Sequence, residues 1–193
     1  VKTPGDVVTF GYPMTPAQLR ATPEYRTAPP VHLRRPQLAD GAHLWRLATD
    51  SGVLDANSSY AYVLWCRDFT DTTVIAEKDG EVVGFITGYR RPAAPDTLFV
   101  WQVAVDESQR GNGIGVAMLE ELVSHLVPQG VRSMETTVSP DNAASIAMFA
   151  ALARRRGATI TTSKMFEPTD FPDAHEAEEL YTITPLNRPE GKF

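Results

Sequence analysis

Cysteine occurs once in 193 residues, at position 66. A single thiol can neither close an intrachain disulfide nor supply a cysteine-based metal cluster, and it fits a reducing compartment. Long apolar runs are also missing: no stretch approaches the roughly 20 residues that cross a bilayer. The segment Val1-Lys2-Thr3-Pro4-Gly5 lacks the apolar core of a signal peptide. The expectation is a cytoplasmic protein with no membrane partner. Excess positive charge is the third absence, with 18 Lys and Arg against 24 Asp and Glu, a net charge of −6. A nucleic-acid surface needs clustered cations. Here they come only in short runs, Arg34-Arg35, Arg90-Arg91 and Arg154-Arg155-Arg156, which read as solvated faces able at most to serve a cofactor phosphate.

What is present is an ordinary globular composition, 42% apolar and 22% charged, enough for one domain with a real core. Residues 1–30 hold six prolines, at 4, 13, 16, 23, 29 and 30, and read as an extended or disordered arm. The domain is expected over residues 31–186, followed by a tail at 187–193.

Within it, Val31 to Arg34 reads as a strand. Asp40 is a candidate N-cap for a helix carrying Leu44, Leu47 and Ala48 on one face, stopped by Ser51-Gly52. Asn57-Ser58-Ser59 offers a second cap, before a short helix from Tyr60 to Phe69. Thr72–Glu77 and Val82–Tyr89 read as a hairpin around Asp79-Gly80. Pro92 and Pro95 bracket a loop before a strand at Leu98–Val105. A helix over Val116–Val127, a strand at Arg132–Val138 and a helix from about 143 to 156, closed by Gly157, come next. Strands at Ala158–Phe166 and Leu180–Thr184 flank an acidic loop from Glu167 to Glu179. The order β-α-α-β-β-β-α-β-α-β-β predicts an α/β (α+β) fold with a mixed sheet and helices on its faces.

The most informative segment is Gln109-Arg110-Gly111-Asn112-Gly113-Ile114-Gly115. It lies between an apolar strand and an amphipathic helix. Unpaired N–H groups and the positive dipole end at such a helix start suit a phosphate or pyrophosphate. Three glycines allow positive φ and close approach of the backbone to an anion. The nucleotide P-loop would need Gly-Lys-Ser/Thr where Gly115-Val116-Ala117 stands. The dinucleotide fingerprint needs Gly-x-Gly-x-x-Gly, and Gly111-x-Gly113-x-Gly115 is spaced differently.

With Val103-Ala104-Val105 before it, this segment resembles the acetyl-CoA signature of the GCN5-related N-acetyltransferases. Asp79-Gly80-Glu81-Val82-Val83-Gly84 and Asn142 fit the same pattern. The resemblance implies a mostly antiparallel mixed sheet that splays between its fourth and fifth strands. Acetyl-CoA, the acetyl donor, would lie in the splay. Main-chain groups of Val103, Ala104 and Val105 would hold its pantetheine arm, and Arg110, Gly111, Asn112, Gly113, Ile114 and Gly115 its pyrophosphate. Asn142, Ser145 and Phe149 would complete the cofactor side, and no metal is implied. Many members place a Tyr, which can protonate the leaving thiolate, where Phe149 stands.

Three further stretches, Val53–Tyr62, Ala94–Val105 and Glu135–Asn142, are similar to the L-2,4-diaminobutyrate acetyltransferases of ectoine synthesis. That likeness implies direct attack of the substrate's γ-amine on the thioester, and a homodimer. Asp55 can pair with an ammonium or simply end its segment. Tyr60 and Trp101 each offer one donor and an apolar wall, or pack in the core. Glu178 can anchor an amine or act as base through water, and with Trp101 it is the candidate catalytic residue. Glu176, Glu179 and His175 are its rivals. Thr136 is taken as a substrate contact, with one of Thr136 and Thr137 facing the cleft and the other the core. Cys66 reads as a small core residue. Acetylation of another small amine, such as a polyamine or aminoglycoside, and a non-catalytic acyl-CoA-binding module are the competing readings.

Overall fold

A computed structural model describes residues 31–52, 54, 57–172 and 176–186. The arm at 1–30, the tail at 187–193, and Asp55 and His175 lie outside the described residues. Seven strands form one sheet: β1 (His32–Arg34), β2 (Val74–Lys78), β3 (Glu81–Arg91), β4 (Ala94–Val105), β5 (Ser133–Val138), β6 (Thr159–Phe166) and β7 (Glu178–Thr184). Their order across the sheet is β1-β2-β3-β4-β5-β7-β6. Every neighbouring pair is antiparallel except β4 and β5, which run parallel. The element order read from the sequence is the one observed.

Helices α1 (Gly41–Asp50) and α2 (Ser59–Asp68) cover one face, burying Leu44, Ala48, Tyr62 and Cys66 against Ile75, Phe85 and Ala104. Helices α3 (Ile114–Leu126) and α4 (Ala143–Arg156) cover the other. Ile114, Met118, Leu119, Leu122, Val123 and Leu126 of α3 are buried, a spacing of three to four residues that forms one stripe. Each such side chain contributes about 2 kcal/mol when removed from water. Asp79 and Gly80, with φ of 54° and 83°, make the left-handed two-residue turn that joins β2 to β3. Asn142 accepts the Ser145 N–H at 3.0 Å and caps α4, and Gly157 ends that helix with φ of 61°.

Several expectations are corrected. The loop expected between Pro92 and Pro95 shrinks to a turn at residues 92–93: β4 begins at Ala94, with Arg91 opposite Ala94 and Arg90 opposite Leu98. The irregularity between those pairs accommodates Pro95, which cannot donate to a ladder. The acidic loop ends before Glu178, because Glu178 and Glu179 already pair with Phe166 and Lys164 in β7. Asp40 does not cap α1 with its side chain. Its carboxylate accepts the Gln37 N–H at 2.6 Å and both terminal nitrogens of Arg34, at 2.7 and 2.9 Å. The arginine runs are not merely solvated. Arg34 also bonds Glu77 at 2.7 Å, and Arg156, buried, bonds Glu120 at 2.8 Å.

Candidate active site

Strands β4 and β5 are joined only from Thr97–Ser133 to Val100–Thr136. Beyond that point β4 runs on along β3 to Val105, while β5 runs on along β7 to Val138. The sheet therefore splits, and the opening is a cleft of about 550 Å³. Val103, Asn142, Ser145 and Phe149 line it on the α3/α4 side; Trp101, Glu135, Thr137 and Glu178 line it as well.

The phase of β4 decides which of its main-chain groups face the opening. The Asp106 N–H donates to the Val83 carbonyl at 2.8 Å, so Asp106 is in a hydrogen-bonded pair with β3. Alternation then turns Ala104 toward its partner Phe85, and Val103 and Val105 away, toward the cleft. The Val105 carbonyl accepts Arg110 Nε at 3.2 Å, which leaves Val103 as the strand residue best placed to present a free main chain.

Just past β4, Gly111 and Gly113 have φ of 79° and 77°, and Gly113 is the N-cap of α3. A Cβ at either would meet nothing within 4 Å, so the backbone is open to an incoming group. The N–H groups of the first turn of α3 have no carbonyl one turn back to bond. Gly115 differs from the expectation: it is helical, and a Cβ there would come within 2.6 Å of Met148 Sδ. It is small so that α3 can approach α4. Arg110 is turned aside, its guanidinium donating to the Val105 and Ser51 carbonyls. What the loop offers an anion is its main chain and the helix dipole. Asn112 braces the loop, its amide donating to the Gln109 carbonyl at 3.2 Å.

On β4 the register passes from Gly88–Val100 to Thr87–Gln102, making Trp101 the extra residue of a bulge. Its ring lies 4.4 Å from that of Trp65, which stacks in turn on Phe69 at 4.6 Å. Trp65 donates its indole N–H to the Gly88 carbonyl at 3.3 Å, so Trp101 rests on a fixed aromatic backing. On β5, Met134, Thr136 and Val138 are buried on the α3/α4 side, and Glu135 and Thr137 alternate to the other face. Both Thr136 and Thr137 line the cleft, because it passes through the sheet.

Glu178 lines the cleft and accepts the Ser139 hydroxyl at 3.3 Å; Glu176 and Glu179 are not among the lining residues. Tyr60 is 68% exposed, which excludes core packing, and it does not line the cleft. Cys66, on the buried face of α2, is 2% exposed, and burial pushes its thiol up to about 11. Sequence reasoning missed Tyr89, Arg91, Phe99, Glu135 and Asn57, all of which line the cleft. A charge alternating with Thr on the central strand β5 was the available signal for Glu135.

An open helix-start loop beside a split parallel pair can seat an extended anionic ligand, and residues 39–153 match the acetyltransferase (GNAT) family. The chain belongs to that family. Among its relatives is the L-2,4-diaminobutyric acid acetyltransferase of Nocardia farcinica, 60% identical over 154 residues that cover 80% of each chain. The enzyme of the same name from Streptomyces coelicolor is 51% identical over 160 residues, 81% of this chain and 94% of that one. The structure of diaminobutyrate acetyltransferase EctA from Paenibacillus lautus, in complex with L-2,4-diaminobutyric acid and coenzyme A, is also similar. It is 44% identical with a TM-score of 0.79, covering 84% of this chain and 99% of that one.

Proposed function

We propose that this chain transfers the acetyl group of acetyl-CoA to the γ-amino group of L-2,4-diaminobutyrate, giving N-γ-acetyl-L-2,4-diaminobutyrate for ectoine biosynthesis. The observation that carries the reading is the cleft that opens beyond Val100–Thr136, in a chain 60% identical to an enzyme of that name. The mechanism is direct. The amine nitrogen bonds to the thioester carbon, the amine proton leaves, and the C–S bond breaks to release the thiolate of CoA. Holding amine and thioester together supplies much of the acceleration.

The roles assigned to the residues are these. The Val103 N–H, facing the opening, stabilises the carbonyl oxygen as it gains charge. The pyrophosphate rests on the main chain from Gly111 to Gly115. Asn142 and Ser145 flank the pantetheine arm, with Phe149 beneath it. Glu178, steadied by Ser139, takes the amine proton directly or through water. Trp101 and Thr136 wall the acceptor pocket. Asp55 pairs with an ammonium of the acceptor, and Tyr60, in the first turn of α2, offers its hydroxyl. Phe149 cannot protonate the thiolate, which therefore leaves as the anion.

Residues 31–186 are the catalytic domain, with 1–30 an arm and 187–193 a tail. Two such chains pair. Strand β6 is the sheet's last strand, nearly all of its side chains are exposed, and Met165 and Phe166 stand at the cleft rim. A second protomer on that edge would cover them. Acetyl-CoA as donor and a single buried thiol fit the cytoplasm; no described helix is long and apolar enough to cross a membrane.

Thiol release from acetyl-CoA with diaminobutyrate, lysine, ornithine and spermidine tests the reading. Diaminobutyrate is expected to give the highest kcat/KM. Preference for spermidine would favour a polyamine enzyme, and binding of acetyl-CoA without turnover of any amine would favour a binding module.

A further inference from the structure

Arg91 and Glu135 form an ion pair at the cleft. Arg91 ends β3 and Glu135 sits in β5, so the two side chains reach toward each other over the intervening strand β4. Arg91 Nη1 is 3.0 Å from one carboxylate oxygen of Glu135 and 3.1 Å from the other. Both residues line the cleft. Beneath them lie Phe99, opposite Glu135 in register, and Tyr89, whose ring is 5.3 Å from that of Phe99.

We infer that Arg91 and Glu135 are the receptor for the α-amino-acid end of the substrate, and so decide which of its two amines reaches the thioester. This rests on the diaminobutyrate reading above. Three observations carry it. The first is the state of the pair. The Glu135 side chain is 14% exposed and that of Arg91 40%, so the carboxylate is fixed and the guanidinium keeps an open edge. A planar guanidinium held through Nη1 alone leaves the edge made by Nε and Nη2 as a fork, the geometry that grips a carboxylate. The α-ammonium then bonds to lone pairs that Glu135 still has free.

The second observation is charge. Among the described lining residues, the charged groups are the guanidinium of Arg91 and the carboxylates of Glu135 and Glu178, one negative charge in excess. Diaminobutyrate with both amines protonated carries one net positive charge. The match is complementary in total and, with Arg91 toward the acid, in pattern.

The third is spacing. Glu135 lies one residue before the last β4–β5 pair, and Ser139, which steadies Glu178, lies three residues after it. At about 3.3 Å per residue, the two positions are about 13 Å apart along the backbone. Glu135 and Glu178 both line the cleft, so a diamino acid held by its α-end at the first presents its far amine toward the second. With its α-end held at Arg91–Glu135, the γ-amine is delivered to Glu178 and Val103. The α-amine is kept away from them.

Comparing L-2,4-diaminobutyrate with 1,3-diaminopropane, the same diamine without the carboxylate, tests this. Arg91→Met is expected to lower kcat/KM for diaminobutyrate about 30-fold more than for diaminopropane, the loss of one charged hydrogen-bonded contact. Glu135→Gln is expected to raise the share of α-acetylated product. If Arg91→Met does not fold, Arg91→Lys keeps the charge without the fork and should move the ratio in the same direction. A merely structural ion pair would lower both substrates equally, with a fall in Tm and no α-acetyl product. That result overturns the inference while leaving the diaminobutyrate reading intact. Absence of turnover with diaminobutyrate by the unsubstituted enzyme would instead overturn both.

Discussion

Val100 and Thr136 are the last cross-strand partners of β4 and β5, and the cleft begins where their pairing stops. The two strands part because each keeps its other neighbour. β4 stays in register with β3 as far as Val105 opposite Gly84, and β5 stays with β7 as far as Val138 opposite Glu179. Main chain that a closed sheet would consume is thereby left for a thioester. The Trp101 bulge sits at the same point and sets an aromatic wall beside it.

Gly113→Glu should abolish acetyl-CoA binding. A side chain there projects into open space in front of α3, and a carboxylate would oppose the phosphates by charge as well as bulk. Gly113→Ala separates this from backbone strain, since φ of 77° costs an L-residue about 1 kcal/mol. Isothermal titration is expected to show no binding for the Glu variant. The Ala variant should bind with a Tm a few degrees lower. Equal affinities for both would place the pyrophosphate elsewhere.

Glu178→Gln should lower kcat by about 10²-fold or more, the usual contribution of a positioned base. Affinity for acetyl-CoA, measured separately, should stay within a factor of two, because the cofactor rests on main chain. A kcat near that of the unsubstituted enzyme would move the base to another group.

Cys66→Ala should keep turnover within about threefold. The thiol is buried, and desolvation pushes its pKa up to about 11, so it stays protonated at neutral pH and is a poor nucleophile. Intact-mass measurement after mixing with acetyl-CoA should find no acetylated protein. Stoichiometric acetylation that disappears in Cys66→Ala would revive a covalent route.

Acid stability should depend on Asp40. Burial pulls its carboxyl upward, but the Arg34 guanidinium and the Gln37 N–H outweigh this and hold it below the usual range. A carboxyl depressed in the folded state adds stability that is complete above the unfolded pKa, about 4, and lost as pH falls through the folded value. Asp40→Asn should therefore lower stability at pH 7 by about 3 kcal/mol, as expected for one partner removed from a largely buried pair. The difference should shrink below about pH 4. Urea unfolding at pH 7 and pH 3 measures both, and an equal deficit at both pH values would exclude the ion pair as the cause.

Local signals were legible in the sequence. Asp79-Gly80, Asn142 and Gly157 state their turns and caps through their own backbone preferences, and the 3.6-residue stripe of α3 states its buried face. Partners distant in sequence were not. Asp40 reads as a helix cap because Arg34 and Gln37 compete for its carboxylate only after folding, and Glu178 reads as loop because its strand is defined by Phe166. Arg91 and Glu135 are 44 residues apart, and no local pattern joins them. The glycine loop pointed to an anion, yet it did not distinguish Gly113, which opens the turn, from Gly115, which admits Met148.

The position of the new amide tests the proposed reaction most directly. The enzyme is incubated with acetyl-CoA and L-2,4-diaminobutyrate, and the product is examined by two-dimensional NMR. Transfer to the γ-amine predicts that the acetyl carbonyl correlates with the γ-methylene protons, and that one CoA thiol is released per amide formed. Correlation with the α-proton, or no acetylated product, would contradict it.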